Sequence, residues 1–450
     1  MSVPSRTARR SLVLITLACA LTAACGWPGA AHAAGGLPPQ GLYEQCGPNS
    51  HGEAQCLNRL ERIRGAGFTV VLNYTLWYST TAQLRNYLDR AQQLGVKVIV
   101  PMNAPAWRDS GSLLTTYKKL AQECPCSTHA EFKSWAVGLV RSHPAIWGYY
   151  VGDEATSAVL PKILALRSRL KQLDPTRPHL FVSMEDGATL GANLRPFAGA
   201  ADVLGADIYP IGTNFGPGVT GPIAERTQHI AATNGRRSAI VLQSFSWSAY
   251  EHSMWRASGR FPTVAEMRGM RDLALANSRP DFVLWYSFQD IERSGDPAGR
   301  LAALRAAALA PRAMPETTLE GAPSGDGASF TARSNLGSSF HCAVDGRPWR
   351  PCAPAIKLTS LAPGPHSIVV RAADRTGGVD PTPAVRRWEV ALPDEVHIAS
   401  TRASSSGRKR RPAKCRRLRG ARRKSCVRRA RARERDRRRT RRRAGQRARL

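Results

Sequence analysis

Short apolar runs alternate along the chain with longer segments whose apolar side chains recur every three or four residues. Runs of the first kind suit buried strands and segments of the second kind suit helices with one apolar face. The expected strands are Gly41 to Gln45, Phe68 to Tyr74, Lys97 to Asn103, Ile146 to Val151, His179 to Met184, Val203 to Tyr209, Ala239 to Phe245 and Phe282 to Phe288. The expected helices are Glu53 to Ala66, Thr80 to Leu94, His129 to Ser142, Ser157 to Leu173, Thr189 to Phe197, Pro222 to Asn234, Thr263 to Asn277 and Pro297 to Leu309. Gly95 and Asp174-Pro175 supply stops, and Thr128 and Thr263 suit N-caps. Strand and helix in strict alternation predict a parallel sheet with crossover helices. Eight such units close a (β/α)8 TIM barrel over residues 37–312, whereas an open doubly wound sheet would carry a Gly-rich loop after its first strand, and none is present.

Beyond Leu309 the pattern changes. Ala310-Pro311-Arg312-Ala313-Met314-Pro315 reads as a linker, and from Glu316 short alternating strands with turn residues predict an all-β domain over 313–395. Asp345-Gly346 marks a hairpin between Cys342 and Cys352, and Ser367 to Ala372 and Arg387 to Val390 read as strands. The residues Phe340 to Gly346, Leu361 to His366, Val370 to Asp374, Asp380-Pro381-Thr382-Pro383 and Trp388 resemble an immunoglobulin-like sandwich module of exported actinobacterial proteins. That resemblance implies a spacer or adhesive unit.

The two ends of the chain differ from both domains. Arg6, Arg9 and Arg10 precede an apolar run from Leu12 to Ala24, and Ala31-His32-Ala33 offers small residues for cleavage, so residues 1–33 read as a secretory signal. Cys25 resembles a lipidation site, but Leu21 sits one place too far upstream for it. No later apolar run reaches the ~20 residues of a membrane span, so the product is expected to be secreted or wall-associated. From Arg402 onward, 25 Lys or Arg face only Glu434 and Asp436, which places +23 of the chain's formal +32 in the tail. Such a segment buries too little apolar surface to offset chain entropy, and residues 396–450 are expected to be disordered. For an exported tail, anionic envelope polymers or lipid head groups are the available partners. Nucleic acid fits less well, because the tail has no Phe, Tyr or Trp to stack on bases.

The cysteines agree with export. Cys46, Cys56, Cys124, Cys126, Cys342, Cys352, Cys415 and Cys426 form an even set in sequence-local pairs, as a disulfide-forming compartment favours. Whether Cys124 and Cys126 join each other or Cys46 and Cys56 stays open at this point. No zinc spacing, H-E-x-x-H or G-x-S-x-G is present, so no metal and no cofactor is expected.

Catalytic groups of such barrels project from the C-terminal ends of the strands. Those ends carry Asn73, Asn103, Asp153 with Glu154, Glu185 with Asp186, Asp207 with Tyr209, Gln243, and Trp285 to Gln289, while Trp77, Trp107, Trp247 and Trp255 lie in the loops that follow. Exposed indoles are natural platforms for sugar rings. The run His143 to Glu154, H-P-A-I-W-G-Y-Y-V-G-D-E, resembles the fourth strand of glycoside hydrolases with (β/α)8 barrels, and the likeness of layout extends from Leu37 to Arg312. It implies a carbohydrate substrate, Glu154 as general acid, and a nucleophilic Glu at the end of the seventh strand. Gln243 occupies that place, and an amide cannot attack carbon.

Three readings follow. An inverting reaction would pair Glu154 with Glu185, Asp186 or Asp207 as base. Alternatively the substrate supplies its own nucleophile, as in hexosaminidases, which this site resembles in its adjacent Asp and Glu; Asp153 would then orient an acetamido group, with Tyr209 and Trp285 around it. The third is a barrel that binds sugar without cleaving it. In each, Asn73, Asn103, Tyr209, Gln243, Trp247, Trp285 and Gln289 are expected to contact the sugar. An acid at Glu154 requires a raised pKa, from burial against aromatics or repulsion by Asp153. Tyr149 and Tyr150 cannot both contribute, since neighbours on a strand face opposite sides.

Overall fold

The computed structural model describes residues 36–103 and 119–391, together with Ala432. Eight parallel strands pair in sequence order into a closed barrel: β1 Gln40–Glu44, β2 Val70–Asn73, β3 Lys97–Pro101, β4 Ile146–Asp153, β5 His179–Met184, β6 Val203–Ile208, β7 Arg237–Gln243 and β8 Val283–Tyr286. β8 pairs back onto β1, Val283 opposite Gln40, and this pairing removes both sheet edges. Two apolar layers hold the barrel. One fills its lumen with side chains such as Val70, Leu72, Ile99, Leu180, Val241 and Leu284. The other lies between strands and helices and includes Leu60, Leu88, Val137, Leu166 and Met270 from the helices.

The helices begin where local chemistry supplies an acceptor. Thr80, Thr128 and Thr263 each accept the N–H of the third helical residue, and Gln83, Glu131 and Glu266 reach back to the capping residue's own N–H. The expected helix from Thr189 to Phe197 does not form; turns and a single 3-10 turn at Arg195–Phe197 stand in its place. Leu190 and Gly191 adopt positive φ of 42° and 89°, which stops a helix. The Glu185 carboxylate also takes the N–H groups of Gly191 and Leu194 at 2.7 Å each, leaving the local backbone without its usual partners.

After the helix Pro297–Ala308 the chain forms two antiparallel sheets. One pairs β13 (Ala355–Leu358), β10 (Gly327–Ser334) and β9 (Thr317–Ser324); the other pairs β12 (Arg350–Cys352), β11 (Ser339–Val344), β14 (Gly364–Ala373) and β15 (Ala384–Val390). Phe330, Ile356, Ile368 and Val370 close the core between them. Asp345 and Gly346 turn β11 into β12 with φ of 50° and 71°, the handedness a tight hairpin needs. Barrel and sandwich form one compact unit. The buried Arg271 guanidinium donates to the carbonyls of Ala307 and Ala310, and Arg312 pairs with the buried Asp374. Thr376 bonds to Leu275 O at 3.1 Å and Arg279 to Thr376 O at 2.7 Å, which ties the sandwich to the helix Val264–Asn277.

Disulfides join Cys46 to Cys56, Cys124 to Cys126 and Cys342 to Cys352, so each pair is local in sequence. Cys415 and Cys426, the signal segment with Cys25, Trp107 and the basic tail lie outside the described residues. Among the described residues no helix is long and apolar enough to cross a membrane.

Candidate active site

β4 is irregular at two places, and both irregularities aim side chains into the lumen. Its pairing with β3 runs from Ile146 to Gly148 and skips Trp147, and its pairing with β5 runs from Tyr150 to Gly152 and skips Val151. Each skipped residue resets the alternation of faces. Trp147, Tyr150 and Asp153 therefore all point inward at a spacing of three, while Tyr149 points outward and donates to Asp174 at 2.8 Å. Gly152 allows the second irregularity. A Cβ there would lie 2.5 Å from Cδ2 of Phe181, whose ring is stacked on Phe197 at 4.3 Å and cannot retreat. Gly152→Ala is expected to cost roughly 1–3 kcal/mol of stability through overpacking, read as a lower urea midpoint. An unchanged midpoint would show that β4 can close up without strain.

Asp153 accepts hydrogen bonds from Tyr74 at 2.7 Å and Tyr150 at 2.6 Å. These phenols favour its charged form, but burial outweighs them and raises its pKa. Glu154 follows at φ +44°, held there by its N–H to Val182 O at 3.0 Å. A non-glycine residue in that region carries about 1–3 kcal/mol of strain, of the kind that collects at functional sites. Glu154 is exposed at the mouth as a residue; loss of water around its carboxyl, then the charge of Asp153, raise its pKa. Beneath it lies Asp207, inward on β6 and only 3% exposed. Burial, then the charges of Glu154 and Asp153, push Asp207 well above the carboxylate range.

Aromatic rings surround these carboxyls. Tyr150, Tyr74, Tyr43, Tyr286 and Tyr209 form a continuous arc with centroid separations of 6.1, 5.3, 5.2 and 5.8 Å in turn. Phe245, Trp247 and Tyr250 extend it past β7. A cavity of about 540 Å³ opens beside Tyr209, beneath the loops that follow β5, β6 and β7. Among the described residues no three His, Cys, Asp or Glu are arranged to hold a metal ion.

Of the residues expected here, Asp153, Glu154, Asp207 and Tyr209 come together, and Trp247 joins the aromatic wall. The others are committed elsewhere. Glu185 is buried and accepts from Thr189, Gly191 and Leu194, so it holds its own loop and does not enter the cluster. The Gln243 amide binds both backbone groups of Ile211, at 2.8 and 3.0 Å. Asn73 bonds to both backbone groups of Cys46, Gln289 accepts from Arg59, and Asp186 caps the turn at Ala188 and Thr189. Trp285 is fully buried on the helix side of β8 and donates to Gln40 at 3.0 Å. Asn103 is partly exposed at the edge of the described residues. Tyr43, Tyr74 and Tyr286 were missed: Tyr74 sits beside Asn73 and Tyr286 beside Trp285, and no residue was chosen from β1.

No family model and no curated protein matches the chain. Among solved structures it is similar to a glycosyl hydrolase family 2 member from Bacteroides cellulosilyticus DSM 14838, with TM-score 0.37 and 13% identity over 79% of this chain and 46% of that one. It is similar also to a beta-glucuronidase from Parabacteroides merdae, with TM-score 0.39 and 13% identity over 78% and 48%. A third is a family 39 glycoside hydrolase from Bacteroides cellulosilyticus WH2, with TM-score 0.41 and 14% identity over 75% and 81%. The chain spans about half the length of the first two. These likenesses are remote, and the barrel rests on its own strand pairing.

Proposed function

We propose that the barrel hydrolyses glycosidic bonds of sugars bearing an acetamido group, with Glu154 as acid and the substrate's own acetamido oxygen as nucleophile. The observation that carries this reading is the commitment of Glu185, the expected second carboxylate, to Thr189, Gly191 and Leu194, which leaves Asp153 and Glu154 beside the buried Asp207. Two-carboxylate hydrolysis needs about 5 Å between the groups for retention and about 6.5 to 9.5 Å for inversion. Asp207 is only 3% exposed, and burial disfavours the charged form that a base or nucleophile needs. With Glu185 committed to its loop and an amide at Gln243, none of the expected alternatives supplies an attacker.

In this scheme Asp153, fixed by Tyr74 and Tyr150, orients the acetamido N–H. The acetamido oxygen bonds to the anomeric carbon as the bond to the leaving oxygen breaks, and that oxygen takes the proton of Glu154. Water then opens the cyclic intermediate and returns a proton to Glu154. Trp285 has no part in it. The protein is further proposed to be exported and held at anionic envelope polymers or lipid head groups by its tail.

Chromogenic N-acetylhexosaminides assayed beside the matching hexosides test this directly. Turnover of the first alone, with retained anomeric configuration by NMR, is expected; equal turnover of both would refute substrate assistance. Binding without turnover would instead support a sugar-binding barrel, the reading that the backbone-bound Gln243 favours. Asp153→Asn removes the charge that, after burial, raises the pKa of Glu154. The basic limb of the pH–rate profile of the residual activity is therefore expected to move to lower pH. A basic limb that stays in place would show that Asp153 does not tune the acid.

A further inference from the structure

The cavity beside Tyr209 has a composition that the proposed chemistry does not use. Ile208, Phe215, Val219, Trp247, Met254 and Trp255 supply its carbon walls. Glu185 and Asp186 bond to backbone N–H groups of their loop, Thr213 to Pro210 O, Ser253 to the N–H of Trp255 and Tyr250 to Asp290, while Glu251 and His252 are exposed and the Trp247 indole N–H is buried without a partner. Carbon nonetheless dominates the lining, which suits an apolar chain better than a fully hydroxylated ring, whose unpaired hydroxyls are costly. An apolar chain has no such requirement. The volume of about 540 Å³ lies within the ~300–1,000 Å³ of small-molecule pockets. Met184 and Met254 stand exposed at its rim, 46% and 85% accessible, and flexible thioethers adapt to chains of differing shape. Tyr209 lines the cavity, and its ring also closes the aromatic arc that surrounds the carboxyls.

Resting on the glycosidase reading, we infer that this cavity receives the apolar leaving group of an amphiphilic glycoside, an alkyl or acyl chain carried on the oxygen that Glu154 protonates. The chain lies under the β6 and β7 loops while the sugar occupies the mouth. Burial of each methylene contributes about 0.8 kcal/mol at most, or roughly a three- to fourfold gain in affinity.

The test uses the full chain carrying Glu154→Gln, so that binding is read apart from turnover. Methyl, hexyl and octyl N-acetylglucosaminides and 1-octanol are titrated by calorimetry, with the fluorescence of Trp247 and Trp255 as a second readout. Affinity is expected to climb from methyl to octyl by roughly threefold per methylene, and 1-octanol to compete with the octyl glycoside. Met254→Glu and Phe215→Glu are expected to flatten that climb, the first at a site exposed enough to leave folding intact. Equal affinity for methyl and octyl compounds, or a climb unaltered in both variants, overturns the inference. If 1-octanol binds and is lost in the variants while the wild-type chain turns over no glycoside, the apolar site stands and the glycosidase reading falls. Turnover of methyl N-acetylglucosaminide with no dependence on chain length separates the opposite case.

Discussion

Glu154→Gln is expected to lower turnover of N-acetylhexosaminides by roughly 10²- to 10⁴-fold while leaving ground-state affinity within a few-fold of wild type. The substitution keeps size and hydrogen-bonding capacity and removes only the transferable proton. Its effect depends on the leaving group. An alkyl alcohol leaves as a strong base and needs the proton in full, whereas a nitrophenol leaves readily without it, so the deficit is expected to be larger for alkyl than for nitrophenyl glycosides. A general acid predicts that gradient and a merely structural Glu154 does not. Equal deficits for both substrates, with a lowered thermal midpoint, would reassign the residue to holding the β4 loop. The strained φ of +44° makes the control necessary, because a change there can alter folding as well as chemistry.

The barrel was legible because its signal is distributed. Eight apolar runs and their intervening amphipathic segments each tolerate an error of a residue or two at the ends without changing the alternation that implies a parallel closed sheet. The site was less so, because it turns on parity, and parity shifts with one residue. At β2 the polar Asn73 drew attention, yet it binds Cys46 and the neighbouring Tyr74 reaches Asp153. At β8 the choice fell on Trp285, which packs against the helices, while Tyr286 closes the aromatic arc. On β4 strict alternation from Tyr150 would have turned Asp153 outward; the skipped Val151 brings it in. Register shifts of this kind are set by contacts such as Gly152 against Phe181, made between neighbouring strands and outside the reach of a local pattern. The missing helix at Thr189 has a similar origin, since a buried carboxylate from the preceding strand end satisfies its backbone.

Gln289 was expected to touch sugar and instead completes a buried ion pair, from which the second large effect follows. Arg59, 4% exposed, donates to both oxygens of Glu44 at 2.7 and 3.2 Å, to Gln289 at 3.1 Å, and lies over the ring of Phe288 at 5.2 Å. Glu44 ends β1 directly after Tyr43, so this network anchors the outer side of the strand whose inner side lines the site. Removing one member of a buried pair leaves the other charged or forces it to take up a proton, and costs about 3–5 kcal/mol. Arg59→Met is expected to destabilise the chain by that amount, measured as the loss of unfolding free energy in urea. Replacing both, Arg59→Met with Glu44→Leu, removes the stranded charge together with its partner and is expected to recover most of the loss. If the double variant is as unstable as the single one, the cost lies in lost packing over Phe288 and not in the uncompensated carboxylate. Because Tyr43 continues from the same strand, the single variant is also expected to loosen the aromatic arc, seen as faster quenching of tyrosine fluorescence by acrylamide, and the double variant to restore it.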